Sequence, residues 1–243
     1  MSALAQASVP DHHAVCAAHP EQTAVGTCAR CGRFTCGACR NDDAVCTACV
    51  ELELSAMPAL RPRAAKAVWL LRANVAVESL GMVTSFGLLA SPESEPLLLG
   101  SGLVGILLFF TYVATVVFYL RWLHLAVRTV KTRGQDVGVT PGWAVGWWFI
   151  PFANLVKPYH TVRALVAASG GEPAVARARV GLWWAAWIIG NVLSNIETRL
   201  NLSDIDGAQS GGTFVGVFSS LFGVLGAWLC IGVIRRVGEG LQR

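Results

Sequence analysis

Long stretches without any charged residue constrain this chain more than any other feature. Residues 96–120 and 207–234 contain no Asp, Glu, Lys or Arg and are rich in Leu, Val, Ile and Phe. About 20 apolar residues in a helix suffice to cross the hydrocarbon core of a bilayer. Charged residues make up 14% of the chain, against about 25% in a typical soluble domain. We therefore predict an integral membrane protein that has the lipid bilayer as a partner.

Five apolar segments lie after residue 66, and four of them are predicted to be transmembrane helices. The predicted spans lie at about 67–90, 97–120, 180–200 and 213–234. The third includes Trp183, Trp184 and Trp187, which suit an interfacial belt. The fifth segment, 143–168, has a short apolar core that is broken by Pro151 and followed by Pro158. This pattern favours a re-entrant or interfacial element over a span. The predicted fold class is an all-α polytopic bundle of four helices plus this broken segment, with a small N-terminal zinc finger.

The positions of the basic residues predict how the helices are oriented. With four spans, one side of the membrane holds Arg61, Arg63, Lys66, Arg128, Lys131, Arg133, Lys157, Arg163, Arg177, Arg179, Arg235, Arg236 and Arg243. The other side holds only Arg199, beside Glu93, Glu95, Asp204 and Asp206. Lys and Arg are retained in cytoplasmic loops, so both termini are predicted to be cytoplasmic in a multi-pass protein of the cell membrane. A fifth span would move Arg177, Arg179 and the C-terminal tail outside.

Seven of the eight cysteines lie between Cys16 and Cys49, and only Cys230 lies elsewhere. No continuous apolar stretch precedes them, and clustered pairs without a secretory signal favour metal binding over disulfides. The pairs, each with two intervening residues, are Cys16/His19, Cys28/Cys31, Cys36/Cys39 and Cys46/Cys49. Eight ligands make two closed tetrahedral sites, so two zinc ions are predicted. The predicted domains are a zinc finger at 1–50, a linker at 51–65 and a transmembrane domain at 66–240.

The spacing of the pairs, together with the opening Cys-x2-His-Pro, resembles the B-box-type zinc finger over residues 16–49. That resemblance implies a cross-brace in which alternate pairs share a metal. One zinc would be held by Cys16, His19, Cys36 and Cys39, and the other by Cys28, Cys31, Cys46 and Cys49. The last pair departs from many B-boxes, where histidines are common. A sequential pairing remains open, as does replacement of one ligand by His12 or His13.

The charge of the finger excludes one common role of zinc modules. Residues 1–50 carry three arginines and four acidic residues, a net charge of −1. Nucleic-acid binding requires a basic surface that replaces condensed counterions, so we expect no nucleic-acid partner. With all ligand positions filled, no coordination site stays open for a catalytic water. The finger is therefore expected to bind a cytosolic protein or to have a structural role.

The broken segment carries a recognisable motif. The run Trp147-Trp148-Phe-Ile-Pro151-Phe-Ala-Asn154-Leu155-Val-Lys-Pro158-Tyr159 resembles the signature of a bacterial membrane family called domain of unknown function 4328. The resemblance covers roughly residues 65–240 and implies a small polytopic membrane protein without an established activity. From the residues themselves, Pro151 and Pro158 each remove a backbone donor. The Asn154 side chain is predicted to satisfy one of the carbonyls left without a partner.

Polar side chains inside the predicted spans suggest a seam within the bundle. An ionisable residue in a span is costly and marks a functional hypothesis, and Glu78 is such a residue. Asn191 lies at a similar depth in the third span, and Asn195 lies on the same helix face, four residues further on. We predict that Glu78 meets Asn191 or Asn195.

The predicted function is that of a non-enzymatic membrane protein. Its cytosolic zinc-binding module would serve protein interaction or regulation at the membrane. The alternative is a small transporter or channel with the polar seam around Glu78 lining its path. No combination of residues in the sequence forms a complete catalytic site. Ser101 and His124 superficially suggest a Ser–His dyad, but they lie about 34 Å apart on one continuous helix and cannot touch.

Overall fold

The computed structural model describes residues 14–203, 205 and 207–241, and these residues are mostly helical. The chain divides into two compact units. The first comprises the residues up to Pro58 together with Thr132–Gly134, and the second comprises Ala59–Lys131 and the residues from Gln135 onwards.

The first unit is built around a small antiparallel sheet. Strand β1 (Gly26–Thr27) pairs with β2 (Phe34–Thr35), and helix α1 spans Thr47–Ala56. A 3-10 turn at Gly37–Cys39 lies between β2 and α1. Among the described residues of this unit, the buried ones are six cysteines and Thr35. Burial of large apolar side chains therefore cannot offset the conformational entropy lost on ordering this unit.

The second unit contains the long helices. They are α2 (Leu60–Ala90), α3 (Glu95–Thr132), α4 (Pro141–Gly146), α5 (Lys157–Ala178), α6 (Val180–Asn201) and α7 (Ala208–Leu241). In α4, the Thr140 hydroxyl caps the helix by accepting a hydrogen bond from the Trp143 N–H at 3.3 Å, and Pro141 occupies the first turn. Proline is tolerated there because the first N–H groups of a helix have no intrahelical partner.

The two halves of α3 have different surroundings. The C-terminal half is fully buried at Trp122, Leu123, Ala126 and Val127. The N-terminal half exposes large apolar side chains, namely Leu98, Leu99, Leu103, Ile106, Leu107, Phe109 and Phe110. A contiguous exposed apolar surface of this kind is unusual for a soluble protein and is typical of a helix that faces lipid.

Helix α7 packs against α2, α5 and α6. It approaches α6 closely because small residues line the contact: a Cβ on Gly190 would lie 3.5 Å from the Phe222 Cβ. A Cβ on Gly226 would lie 3.8 Å from the backbone nitrogen of Trp187. These two contacts show that α6 and α7 run antiparallel, side by side. Glycine permits such close backbone approach between helices in membranes.

Helix α5 is kinked and meets α6 through a sharp turn. Gly170 and Gly171 leave the helical conformation, and Gly171 has a φ of +70°, which a glycine adopts without steric cost. The kink precedes Pro173, whose ring lacks an N–H to continue the helical hydrogen bonds. Arg179, with a φ of 51°, separates α5 from α6.

Three helices in the described residues are long and apolar enough to cross a membrane, namely α2, α3 and α7. The predicted span at 180–200 corresponds to α6, which is 22 residues long but does not meet this criterion. Its polar residues Asn191, Asn195, Glu197 and Arg199 lower its mean hydropathy. Four spans are therefore not shown by length and composition alone.

Several boundaries differ from the sequence-based predictions. The predicted linker, 51–65, is mostly helical, because α1 continues to Ala56 and α2 begins at Leu60. Pro62 does not prevent this, since it lies in the first turn of α2. Helix α3 runs 12 residues past the predicted end at 120, to Thr132, because apolar residues continue to recur on its buried face. The predicted broken segment contains α4 and two 3-10 turns, Trp147–Phe149 and Ala153–Leu155, and α5 extends beyond residue 168 to Ala178.

The close contact between α6 and α7 gives a test of this packing. Gly190→Leu would force a side chain against Phe222 and the backbone of Gly223, and overpacking typically costs about 1–3 kcal/mol. Gly181→Leu on the same helix is the control, since its Cβ would have no atom within 4 Å. Thermal unfolding of the purified protein in detergent should show a lower midpoint for Gly190→Leu only. Equal midpoints for the two variants would contradict the packing.

Candidate metal centres and polar residues of the helical unit

Two groups of four metal-ligating side chains form in the first unit. One consists of Cys16, His19, Cys36 and Cys39, and the other of Cys28, Cys31, Cys46 and Cys49. In each group the ligand atoms all lie within 4.8 Å of one another. Alternate pairs along the chain therefore come together, as in a cross-brace, whereas sequential pairs do not. His12 and His13 lie outside the described residues.

The first group is assembled from two turns that flank the sheet. The Cys16 N–H donates to the carbonyl of Gln22, and the Gln22 N–H donates to the carbonyl of His19, both at 2.9 Å. These bonds hold Cys16 and His19 on one short loop. On the other side, the Cys39 N–H donates to the Cys36 carbonyl at 3.1 Å within the 3-10 turn. His19 Nδ1 lies 3.5 Å from Cys36 Sγ and 3.2 Å from Cys39 Sγ.

The second group combines the turn between the strands with the start of α1. The Gly32 N–H donates to the Cys28 carbonyl at 2.9 Å, and Gly32 has a φ of +72°, which favours glycine. Cys46 immediately precedes α1 and Cys49 lies in its first turn. The N–H groups of Arg30 and Cys46 point to Cys28 Sγ at 3.4 and 3.3 Å. Such N–H donors stabilise a thiolate, the form in which cysteine binds metal.

The spacing of the ligand atoms fits a tetrahedral metal ion. With metal–sulfur bonds of about 2.3 Å, the sulfur atoms of a regular tetrahedron lie about 3.8 Å apart. Cys31 Sγ and Cys46 Sγ are 3.8 Å apart. For a nitrogen ligand at about 2.0 Å, the nitrogen–sulfur separation is about 3.5 Å. The His19 distances of 3.5 and 3.2 Å are close to this value. The ligand distances in each group are therefore compatible with a bound metal ion.

The local electrostatics lower the pKa of Cys16 and Cys36 in the first group and of Cys28 in the second. The backbone N–H of Cys36 lowers the pKa of Cys16 to about 6. In the second group, the backbone N–H groups of Cys31 and Cys46 lower the pKa of Cys28 to about 6. Burial raises the pKa of Cys39 to about 11, and a hydrogen bond with Cys46 together with burial raises that of Cys49 to about 12. In both groups, bound metal must therefore displace protons from the remaining thiols.

Two local features of the first unit were not expected from the sequence. Arg30 Nη1 donates to the Glu53 carboxylate at 3.0 Å, which connects the turn carrying Cys31 to α1. The Asn41 side chain accepts a hydrogen bond from the Val45 N–H at 2.8 Å. This bond closes the tight turn that delivers Cys46. Asn is common in such turns, but the sequence gives no sign of which backbone group it binds.

The proline-containing motif folds as a compact corner in the second unit. Asn154 Nδ2 donates to the Trp148 carbonyl at 3.4 Å, so it binds a carbonyl on the other side of Pro151, as expected. Phe152, at the corner, has a φ of 62°. Pro158 is buried in the first turn of α5. The indole N–H of Trp184 donates to the Leu155 carbonyl at 3.0 Å, which fixes the corner to α6.

The tryptophans of α6 do not form the interfacial belt that the sequence suggested. Trp183 and Trp184 are 3% and 7% exposed. The Trp148 ring packs edge-to-face on Trp184 and Trp187, with ring centroids 5.8 and 5.7 Å apart. The prediction was wrong for Trp183 and Trp184, because tryptophan composition alone does not distinguish a belt from an aromatic core. Trp143, by contrast, is half exposed and stacks on Trp147 at 4.6 Å.

The predicted partners of Glu78 were also wrong. Asn191 Nδ2 donates to the Trp187 carbonyl and Asn195 Nδ2 to the Asn191 carbonyl, both at 2.8 Å and both within α6. Asn191 and Asn195 are exposed, and Glu78 instead forms a hydrogen bond with Ser220 of α7. The sequence predicted that Glu78 and Asn191 lie at a similar depth in the bilayer. It could not predict the rotation of each helix about its own axis, which decides the side chains that meet.

The seam around Glu78 therefore lies between α2 and α7. A Cβ on Gly223 of α7 would lie 3.2 Å from the Glu78 carboxylate, so this glycine gives the carboxylate room. Gly216 does the same for Glu197 of α6, where a Cβ would collide with the carboxylate. Asn74, one helical turn before Glu78, is buried and accepts a hydrogen bond from Thr111 of α3 at 3.2 Å. The sequence did not single out Glu197, Ser220 or Thr111.

Comparison with known proteins gives one match. A family model described as domain of unknown function (DUF4328) matches residues 99–239, from the start of α3 almost to the end of α7. This match confirms the resemblance carried by the proline-containing motif, over a shorter range than expected. No curated protein and no solved structure matches the chain. The B-box likeness of the first unit remains a prediction.

The thiol pKa values predict how metal affinity depends on pH. Near pH 7, Cys16 and Cys28, with pKa values of about 6, are already thiolates and release no proton when metal binds. Below pH 6 they are protonated, so the affinity of both sites should fall more steeply with decreasing pH. Contact with Cys36 raises the pKa of His19, so protonation of the imidazole adds to the loss of affinity at the first site. Co²⁺ binding, measured by absorption from pH 5.5 to 8, tests this, and a constant slope would contradict it.

Proposed function

Because the chain belongs to the family described as domain of unknown function (DUF4328), we infer its function from its own residues. We propose that it is a multi-pass membrane protein whose structural two-zinc module binds a cytosolic protein partner. The observation that carries this proposal is the pair of complete four-ligand groups on the same chain as three helices with the length and apolarity of membrane spans.

The donor sets favour zinc over other metals. One group offers three sulfurs and one imidazole nitrogen, and the other offers four sulfurs. Tetrahedral sites with these donors are typical of structural Zn²⁺, while oxygen-rich sites suit Mg²⁺ and Ca²⁺. Four protein ligands leave no position for a water or a substrate, so the sites have no catalytic role. We therefore propose that the chain is not an enzyme and that zinc supplies the free energy that orders the first unit.

The packing of α6 supports a fourth crossing of the membrane. Its 22 residues are about 33 Å long at 1.5 Å per residue, enough for a hydrocarbon core of about 30 Å. It lies antiparallel along α7, from the contact of Trp187 with Gly226 to that of Glu197 with Gly216. Because α6 lies alongside α7, we propose that it lies at the same depth in the bilayer as α7. We propose that α2, α3, α6 and α7 all cross, with both termini in the cytoplasm because of the positive-inside distribution.

The motif around Pro151 is proposed to lie at the cytosolic surface of the membrane. Its helical pieces, α4 and the two 3-10 turns, are too short to cross. Lys157 lies over the ring of Trp147, with Nζ 5.6 Å from the ring centroid, a cation–π arrangement. Tryptophan and lysine both suit the head-group region, where apolar and charged groups meet.

The sheet of the zinc module carries apolar side chains that are not used in its own folding. Val25 precedes β1 and is 62% exposed, and Phe34 in β2 is 50% exposed. Both belong to the same small sheet, since the Val25 N–H donates to the carbonyl of Thr35 at 2.8 Å. Exposed aromatic and aliphatic residues on a rigid scaffold are typical anchors of a protein interface. With a net charge near zero, the module suits a protein partner better than a polyanion.

The contacts of Glu78 favour a structural role over transport. Its carboxylate meets Ser220 and Gly223 of α7, so it connects two packed helices. Hydrogen bonds between helices add stability in membranes. We propose that the contacts of Glu78 with Ser220 and Gly223 hold α2 and α7 together.

Substitutions on the sheet test the proposed binding of a partner. The full-length double variant Val25→Asp/Phe34→Asp should keep two zinc ions per chain, because neither residue is a ligand. It should lose the cytosolic proteins that the wild type retains after chemical cross-linking in cells. Leu52→Asp on α1 is the control, since Leu52 is 63% exposed and lies outside the sheet.

Retention of the same cross-linked proteins by the double variant, with its zinc intact, would show that the sheet is not the binding surface. Loss of zinc from the wild-type protein without loss of its folded structure would separately contradict the structural role of the metal.

A further inference from the structure

An open groove lies between α2 and α7 of the second unit. It has a volume of about 380 Å³ and is lined by Arg72, Val75, Trp228, Ile231, Gly232 and Arg235. Its walls therefore combine two guanidinium groups, one from each helix, with apolar surface. Volumes of this size are typical of sites for small molecules or head groups.

The two arginines carry uncompensated charge. Within the described residues, neither Arg72 nor Arg235 forms an ion pair, whereas the neighbouring Arg236 pairs with Glu239 at 3.6 Å. No acidic residue lines the groove. The two guanidinium groups that line the groove repel each other unless an anion lies between them, and guanidinium binds phosphate oxygens through two parallel hydrogen bonds.

The groove lies where lipid head groups would be in the proposed topology. Arg72 is the last of four basic residues in the first half of α2, the half on the proposed cytosolic side, and Arg235 is six residues before the end of α7. Trp228, two helical turns before Arg235, is 70% exposed. Tryptophan prefers the boundary between hydrocarbon and head groups, so Trp228 marks this level. An occupant would have its anionic part between the arginines and its apolar part along Trp228.

Gly232 keeps the groove open. A Cβ at this position would have no atom within 4 Å, so the side of α7 that faces the groove is free of other side chains there. A larger side chain at 232 would project into this space. Occupation of the groove can therefore be blocked without a change in charge.

We propose that the groove between α2 and α7 binds the head group of an anionic phospholipid, with Arg72 and Arg235 contacting the phosphate and Trp228 flanking the acyl chains. Basic pockets between membrane helices on the cytosolic side are suited to such head groups. Selectivity against zwitterionic lipids follows from the two positive charges, which repel a choline group. This inference rests on the proposed membrane function for the position of the groove, but its test does not depend on the topology.

Native mass spectrometry of the full-length protein in detergent tests the proposal. Phosphatidylglycerol and phosphatidylcholine of equal chain length are the probes, added to the delipidated protein. Arg72→Gln/Arg235→Gln should lower the affinity for phosphatidylglycerol about tenfold, as expected for the loss of two charge-assisted contacts. The matched control is Arg61→Gln/Arg236→Gln, which removes the same charge from the same helices outside the groove and should change the affinity less than twofold.

A steric variant separates the groove from general charge attraction. Gly232→Leu should weaken phosphatidylglycerol binding although it leaves both arginines in place. Gly238→Leu on the same helix also projects into open space but away from the groove, and it should bind as the wild type does. Thermal unfolding midpoints of all four variants verify that each is folded.

Three results would overturn the proposal. Equal losses in the Arg72/Arg235 and Arg61/Arg236 pairs would show attraction by net charge alone. Equal affinities of the wild type for the two lipids would remove the head-group selectivity. Displacement of phosphatidylglycerol by millimolar inorganic phosphate would show a site for the free anion instead of a lipid. A C-terminus found outside the cell would contradict the proposed topology but would leave these binding results unchanged.

Discussion

The hydrocarbon interior of a membrane offers no hydrogen-bond partner to a peptide group, so a chain that crosses it must satisfy its backbone internally. The second unit meets this constraint with long helices, and α7 is the helix on which α2, α5 and α6 all pack. Because lipid is as apolar as leucine, contact between these helices depends on close backbone approach and on polar contacts. Glycines on α7 provide both, since Gly226 admits the α6 backbone and Gly223 makes room for the Glu78 carboxylate.

The first unit is stabilised by a different interaction. Its buried residues, among those that the structure describes, are almost all cysteines, so an apolar core cannot order it, and we propose that metal–thiolate bonds supply this free energy. Thiolates remain available for metal only in a reducing compartment. The positive-inside distribution of Arg and Lys gives the same compartment for this unit. Two unrelated physical arguments, one from redox chemistry and one from membrane electrostatics, thus agree on the proposed orientation.

The sequence predicted those features that depend on local spacing. Four ligand pairs with two intervening residues gave the eight ligands, while their grouping into two sets was only implied by the B-box resemblance. Charge-free stretches gave the helices that the structure shows as α3 and α7, and a longer apolar segment with two charged residues gave α2. Asn154 was expected to bind a carbonyl freed by the prolines, and it binds that of Trp148. Features that depend on helix rotation were not predictable. Glu78 meets Ser220 instead of Asn191, and Trp184 is buried, because the face a helix turns inward is set by all its neighbours together. Helix ends were also misjudged, since α3 continues as an amphipathic helix after its apolar run ends.

We propose that the chain crosses the membrane four times and keeps the zinc module and the C-terminus in the cytosol. Fusions of alkaline phosphatase, which is active only after export, test it most directly in a bacterial host. The fusion sites are the α2–α3 connection at 91–94, the α6–α7 connection at 202–207 and the C-terminus at Arg243. The account predicts activity at both connections and none at the C-terminus. Activity at the C-terminus, or its absence at 202–207, would show that α6 does not cross and would contradict the account.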